Sequence, residues 1–337
     1  MKKVSFHIIF LLALSFAVTA ILFIDSKFMF AHDSNYPIFP IERIKDWIYA
    51  WNNASSNLGN NNAFPRLSIF PYLVLLIPIE YLNISPVYGE IFLLFLFFFT
   101  SGTGMYRLAM ELFKGRPLIA LSSSLLYIFN PVNSTIFDAF TFDGMFGWGA
   151  FPWIVYFFIK GIREDKYAIK NAIFFCMAFL FSLPNFQNPP LLGVVFFTLL
   201  LFCFLMWSDK RINRINIVKF VSMAATIFIF LNMWVLLPIL TTAREYLSNV
   251  SETHDLLGSL LGNSGWASLL NILRLLSVAL WHNIYLDGGV AIPMTVFYKL
   301  SPLGIAMSFF YPLLLVAPLL INKNKLRNYK KYLLLLI

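Results

Sequence analysis

Charge is scarce along this chain: Asp, Glu, Lys and Arg make up 12% of its 337 residues, against roughly 25% in soluble domains. Cysteine and histidine are scarcer still, at 2 and 4 residues. Both cysteines, Cys176 and Cys203, lie inside apolar runs. That excludes a disulfide-stapled secreted domain and leaves them as small buried hydrophobes. The histidines (His7, His32, His254 and His282) have no ligand spacing, and the chain lacks a glycine-rich phosphate loop or a nucleophile elbow. No metal and no cofactor is therefore expected.

What fills the chain is apolar. Hydrophobic residues reach 59%, with 38 Phe, 15 Tyr and 8 Trp, where soluble domains run at roughly 45–50%. A water-soluble fold has nowhere to bury that much surface. A cytosolic globular enzyme, a disordered chain and a nucleic-acid binder are excluded on the same ground. The expected class is an all-α, polytopic transmembrane helical protein with about 9–10 apolar segments.

The first segment, Val4–Ile24, follows Lys2-Lys3 in the manner of a signal peptide. It is long enough to cross a hydrocarbon core of roughly 30 Å and lacks a small-residue cleavage site. It reads as an uncleaved span with a cytoplasmic N-terminus. Further runs cover about 67–82, 88–113, 117–129, 148–162, 168–183, 190–207, 217–240 and 301–321, and another opens at Tyr332. The six residues from Tyr332 to Ile337 are too few to span, so a truncated reading frame is expected, with 1–337 forming a single transmembrane domain.

Basic residues mark the cytoplasmic side. They cluster as Lys2-Lys3; Lys114 and Arg116; Lys160, Arg163, Lys166 and Lys170; Lys210, Arg211, Arg214 and Lys219; and Lys323 to Lys331, together 17 of the 25. Ten of the 16 acids fall in the intervening loops: Asp25, Asp33, Glu42, Asp46, Asp138, Asp143, Glu245, Glu252, Asp255 and Asp287. Outer loops are thus expected at 25–66, 130–147 and 241–300. One parity conflict arises, because 67–113 holds two runs where an odd number of crossings is needed. The 67–82 run is short, carries Pro71, Pro78 and Glu80, and reads as re-entrant or shallow. The alternative is that Lys114 and Arg116 break the positive-inside pattern.

Two outer segments carry helical apolar stripes. Pro40, Ile41, Ile44, Trp47, Ile48 and Trp51 form one, opposite Glu42, Arg43, Lys45 and Asp46; residues 265–282 repeat the pattern with Trp266 and Trp281. Such helices lie in the membrane interface. Four sequons, at Asn53, Asn83, Asn133 and Asn249, suit outward loops.

Carboxylates are the remaining chemical groups. Asp33, just beyond the first span, suits a general base that deprotonates an alcohol; the alternative is a solvated loop acid. Asp138 and Asp143 face the same side and also suit a turn before a helix at Trp148. Arg244 and Arg66 could each hold a phosphate or anchor a helix end by snorkelling.

These stretches resemble the GT-C glycosyltransferases, which use lipid-phosphate sugars, and in particular the N-terminal membrane region of the alpha-(1→3)-arabinofuranosyltransferase family. The resemblance rests on Asp33 before Pro40 and Trp51-Asn52, on Leu58–Pro65 before Phe70-Pro71, and on Ala120–Pro131. Gly149–Trp153 before Lys160-Gly161, Trp234–Leu240 before Arg244, Tyr246 and Glu252, and Gly265-Trp266 complete it. Gly104-Met105-Tyr106 adds a looser similarity to the YfhO-like membrane proteins.

The resemblance implies inverting transfer of a sugar from a polyprenyl- or dolichyl-phosphate donor to a cell-surface glycan, glycolipid or glycoprotein at the outer face of the plasma membrane. Asp33 would be catalytic; His32, Arg66, Arg244, Glu252 and His254 would bind substrate. The lipid bilayer is the other partner, and no nucleic acid is. A polytopic transporter or flippase, and a non-catalytic protein of surface-polymer assembly, remain as alternatives.

Overall fold

The computed structural model describes residues 2–23, 38–48, 70–113, 115–129, 142–183, 189–209, 212–253, 285–286, 289–290, 301–306 and 309. Its helices are α1 (Lys2–Leu22), α2 (Pro40–Ile48), α3 (Phe70–Tyr81), α4 (Pro86–Leu112), α5 (Pro117–Ile128), α6 (Phe142–Arg163), α7 (Ala168–Phe181), α8 (Pro189–Ser208) and α9 (Arg214–Thr253). Proline opens α2, α4, α5 and α8, a position where its missing N–H costs nothing. Two compact units divide the chain, residues 1–124 with 141–245 and residues 125–140 with 246–337. In the second unit, β1 (Tyr285–Leu286) and β2 (Gly289–Val290) pair antiparallel.

The expected runs at 67–82, 88–113, 117–129, 168–183 and 190–207 each hold a helix ending within three residues of the expected limits. Two boundaries differ. The loop expected over 130–147 gives way to α6 at Phe142 rather than Trp148, which places the Asp143 backbone in the first turn of a helix. The loop expected over 241–300 opens as helix, because α9 continues past Leu240 to Thr253. No Pro or Gly interrupts that stretch, so the chain has no local reason to stop where its apolar character fades.

Pro86–Leu112, Met145–Arg163 and Arg214–Met233 are long and apolar enough to cross a membrane. Apolar side chains also face outward on α8 and α9: Phe197, Phe204 and Phe230 are 69%, 67% and 77% exposed, a surface suited to lipid rather than water. Three buried hydroxyls close on their own helix. Ser15, Thr19 and Thr103 donate to the carbonyls of Leu11, Ser15 and Phe99 at 2.7, 2.8 and 2.6 Å, so each of these hydroxyls is paired where an apolar medium would penalise an open donor.

The first unit is built on α4 and α6. A run of small residues, Ser101–Gly104, lets neighbouring helices approach α4 closely. Trp153 of α6 donates its indole N–H to the Thr100 carbonyl at 2.9 Å, and a Cβ added at Gly104 would lie 2.7 Å from that indole. Ser124 of α5 donates to the Gly102 carbonyl at 2.9 Å. On α1, His7 Nδ1 lies 3.1 Å from the Tyr106 hydroxyl.

One end of this unit is polar and basic. Arg163 pairs with Glu111 at 2.9 Å, Lys219 with Asp165 at 2.8 Å, and Lys160 with Glu164 at 3.8 Å. The Arg214 guanidinium lies 5.4 Å from the Trp207 ring centre. The C-terminal ends of α4, α6 and α8 therefore meet the N-terminal end of α9. At the opposite end, Tyr72 of α3 stacks on Phe146 with ring centres 3.5 Å apart, and its hydroxyl donates to the Phe181 carbonyl. The 12 residues of α3 rise about 18 Å.

Candidate functional site

Two features of the first unit stand out as sites: a corner between α2, α3 and α4, and an open groove among α6, α7, α8 and α9.

The corner begins with the end of α3. Asn83 adopts φ +53°, its N–H donates to the Glu80 carbonyl at 3.0 Å, and the Ile84 N–H reaches the Ile79 carbonyl at 2.9 Å. This pairing is a Schellman cap, which turns the chain sharply and closes orphan carbonyls. The Glu80 carboxylate faces the start of α2 and accepts the Ile41 N–H at 2.6 Å. In α2, Pro40 is buried and Ile41 and Ile44 are half-buried, while Glu42, Arg43 and Lys45 are exposed. The stripe read from the sequence is thus an amphipathic helix over Pro40–Ile48. A cavity of about 230 Å³ lies in the corner, lined by Phe39, Leu76, Ile79, Glu80, Asn83 and Ser85 among others.

The groove has a volume of about 550 Å³, within the range of roughly 300–1,000 Å³ that holds small molecules. Phe158, Phe175 and Phe179 form its floor, and Gly193, Cys203 and Ala225 supply the space. Aromatic contacts secure the floor, with Phe158 and Phe220 5.8 Å apart and Phe179 and Phe228 5.5 Å apart between ring centres. The Cys176 thiol lies 3.3 Å from the Ala224 carbonyl, so it ties α7 to α9 as a buried small residue. The groove is open, and Phe196 and Leu200 on its lining are exposed. Its lining is almost wholly apolar, so it can hold a hydrocarbon chain and cannot perform acid–base chemistry.

Asp33, His32, Arg66 and His254 lie outside the described residues. Arg244 and Glu252 both fall within α9, where only their backbone is described. Asp138 and the amphipathic stretch 265–282 also lie outside them. Among the described residues, no cluster of His, Cys, Asp and Glu could hold a metal ion. Sequence reading missed both the groove and the Glu80–Ile41 bond. Small residues in otherwise bulky runs (Gly193, Cys203, Ala224-Ala225) are the one signal that points to the groove. The chain finds no match among protein-family models, curated proteins or solved structures.

Proposed function

We propose that this chain is a multi-pass membrane glycosyltransferase of GT-C type, with its basic end in the cytoplasm and its α2–α3–α4 corner at the outer face. The donor is a polyprenyl- or dolichyl-phosphate sugar, and the acceptor is a hydroxyl of a surface glycan, glycolipid or glycoprotein. The observation that carries this reading is the open groove of about 550 Å³, lined by apolar side chains, which suits the hydrocarbon tail of a lipid-linked donor. The distribution of basic residues and the helix ends they occupy support the orientation.

In the proposed reaction Asp33 takes the proton of the acceptor hydroxyl as its oxygen bonds to the anomeric carbon. The bond from that carbon to the phosphate oxygen breaks, and the lipid phosphate leaves with the electron pair. Arg66, Arg244 or His254 would meet its charge, with His32 and Glu252 holding substrate. A polyprenyl-phosphate arabinofuranose is the first donor to test, since arabinofuranose is the sugar of the family the chain resembles.

The test compares Asp33→Asn with Asp25→Asn in membranes supplied with that donor. A positioned base contributes about 10²- to 10⁴-fold. Release of polyprenyl phosphate should therefore fall at least a hundredfold for Asp33→Asn and little for Asp25→Asn at equal protein levels. Equal activity in both variants would remove Asp33 from the mechanism. A transporter or flippase is the second reading. Glu90, fully buried in α4, favours it, because carboxylates within spans mark ion pathways. Movement of lipid-linked sugar without phosphate release would select that reading.

A further inference from the structure

We infer that Glu80 is a positioning residue, the anchor that fixes the interfacial helix α2 to the corner between α3 and α4. The first N–H groups of any helix lack intrahelical partners, and α2 opens on Pro40, which has none to offer. The next donor, Ile41 N–H, goes to the Glu80 carboxylate at 2.6 Å, 39 residues along the chain. A carboxylate at that end also complements the positive end of the helix dipole. The bond thus acts as an N-cap supplied from another helix.

The anchor itself is rigid. Glu80 sits one turn before the left-handed Asn83, its own carbonyl accepts the Asn83 N–H at 3.0 Å, and α4 begins at Pro86. Neither α3 nor the turn after it can shift without breaking that cap. The apolar side of α2, Pro40 with Ile41 and Ile44, turns away from its exposed Glu42, Arg43 and Lys45. A nine-residue helix is too short to hold its shape alone, since isolated helices below roughly 12–15 residues are marginal in water. A carboxylate in an interrupted apolar helix is costly to retain, and capping α2 gives it a purpose.

The consequence for transfer rests on the glycosyltransferase reading. Asp33 precedes Pro40 by seven residues, so the anchored start of α2 fixes one end of the segment that carries the proposed base. Loss of the anchor should lower turnover without weakening donor binding, because the groove lies on other helices.

The experiment uses the full chain in lipid nanodiscs and two variants, Glu80→Ala and Glu80→Gln. Hydrogen exchange at Ile41 should rise at least tenfold in Glu80→Ala. It should stay close to wild type in Glu80→Gln, whose amide oxygen still accepts the bond. With polyprenyl-phosphate arabinofuranose as donor, kcat should fall about ten- to a hundredfold in Glu80→Ala at unchanged KM, with partial rescue in Glu80→Gln. Unchanged Ile41 exchange in Glu80→Ala overturns the anchor. Faster exchange with unchanged kcat overturns the positioning role. If the wild-type chain transfers no sugar, the glycosyltransferase reading falls, and the anchor stands or falls on Ile41 exchange alone.

Discussion

The ring of Phe220 on α9 rests directly on Gly161 of α6, so closely that a Cβ at that glycine would overlap it. Phe220 is fully buried and also meets Phe158 and Phe175 edge-on, at 5.8 and 6.1 Å between ring centres. Gly161→Ala should therefore force α9 off α6 and destabilise the fold by about 1–3 kcal/mol, read as a lower thermal midpoint in detergent. Gly193→Ala is the control, since its nearest neighbour would be 4.0 Å away. Equal midpoints for the two variants would contradict the close approach.

The Arg163–Glu111 pair joins the last turns of α6 and α4, with both side chains about a quarter exposed at 26% and 28%. A double-mutant cycle with Arg163→Ala and Glu111→Ala should give a coupling of about 0.5–1 kcal/mol. A coupling near zero would mean that these two helix ends are held by packing alone.

Orientation is testable without substrate. Epitope tags at Gly59 and Gly262 should react in intact cells, and a tag at Arg211 only after permeabilisation. Reaction at Arg211 in intact cells would invert the topology and remove the outward-facing site.

Filling the groove should block a lipid tail. A polyprenyl phosphate bearing a diazirine should label α8 and α9 of the wild-type chain. Ala225→Phe should reduce that labelling at least tenfold, equivalent to about 1.4 kcal/mol of binding. Ile229→Phe changes an exposed position outside the groove and should leave labelling intact. Undiminished labelling in Ala225→Phe would place the tail elsewhere.

The helices are legible in sequence because their apolar runs are long and several begin at proline, as at Pro86, Pro117 and Pro189. Contacts between them are not. Gly104 enters a sequence reading only as part of Gly104-Met105-Tyr106, whereas its place in the fold is to seat the indole of Trp153. Asn83 reads as a sequon, yet its left-handed backbone closes the end of α3. Glu80 reads as an awkward charge in an apolar run, because nothing periodic links it to Ile41. Where α9 ends is equally hidden, since a helix can outlast its hydrophobicity when no breaker intervenes. Of the proposed site, Asp33, His32, Arg66 and His254 are chosen by sequence position and resemblance alone.

The shortness of α3 has a consequence for how the protein is made. Its 12 residues include Pro78 and Glu80, a weak signal for membrane insertion beside the 27-residue α4 that follows. The partners that hold Tyr72 are Phe146 and Phe181, and Phe181 is synthesised 109 residues later. The bond between Tyr72 and Phe181 can therefore form only after α7 has emerged. The corner that anchors α2 needs no such wait, because Ile41, Glu80, Asn83 and Ile84 all leave the ribosome before α6 is made.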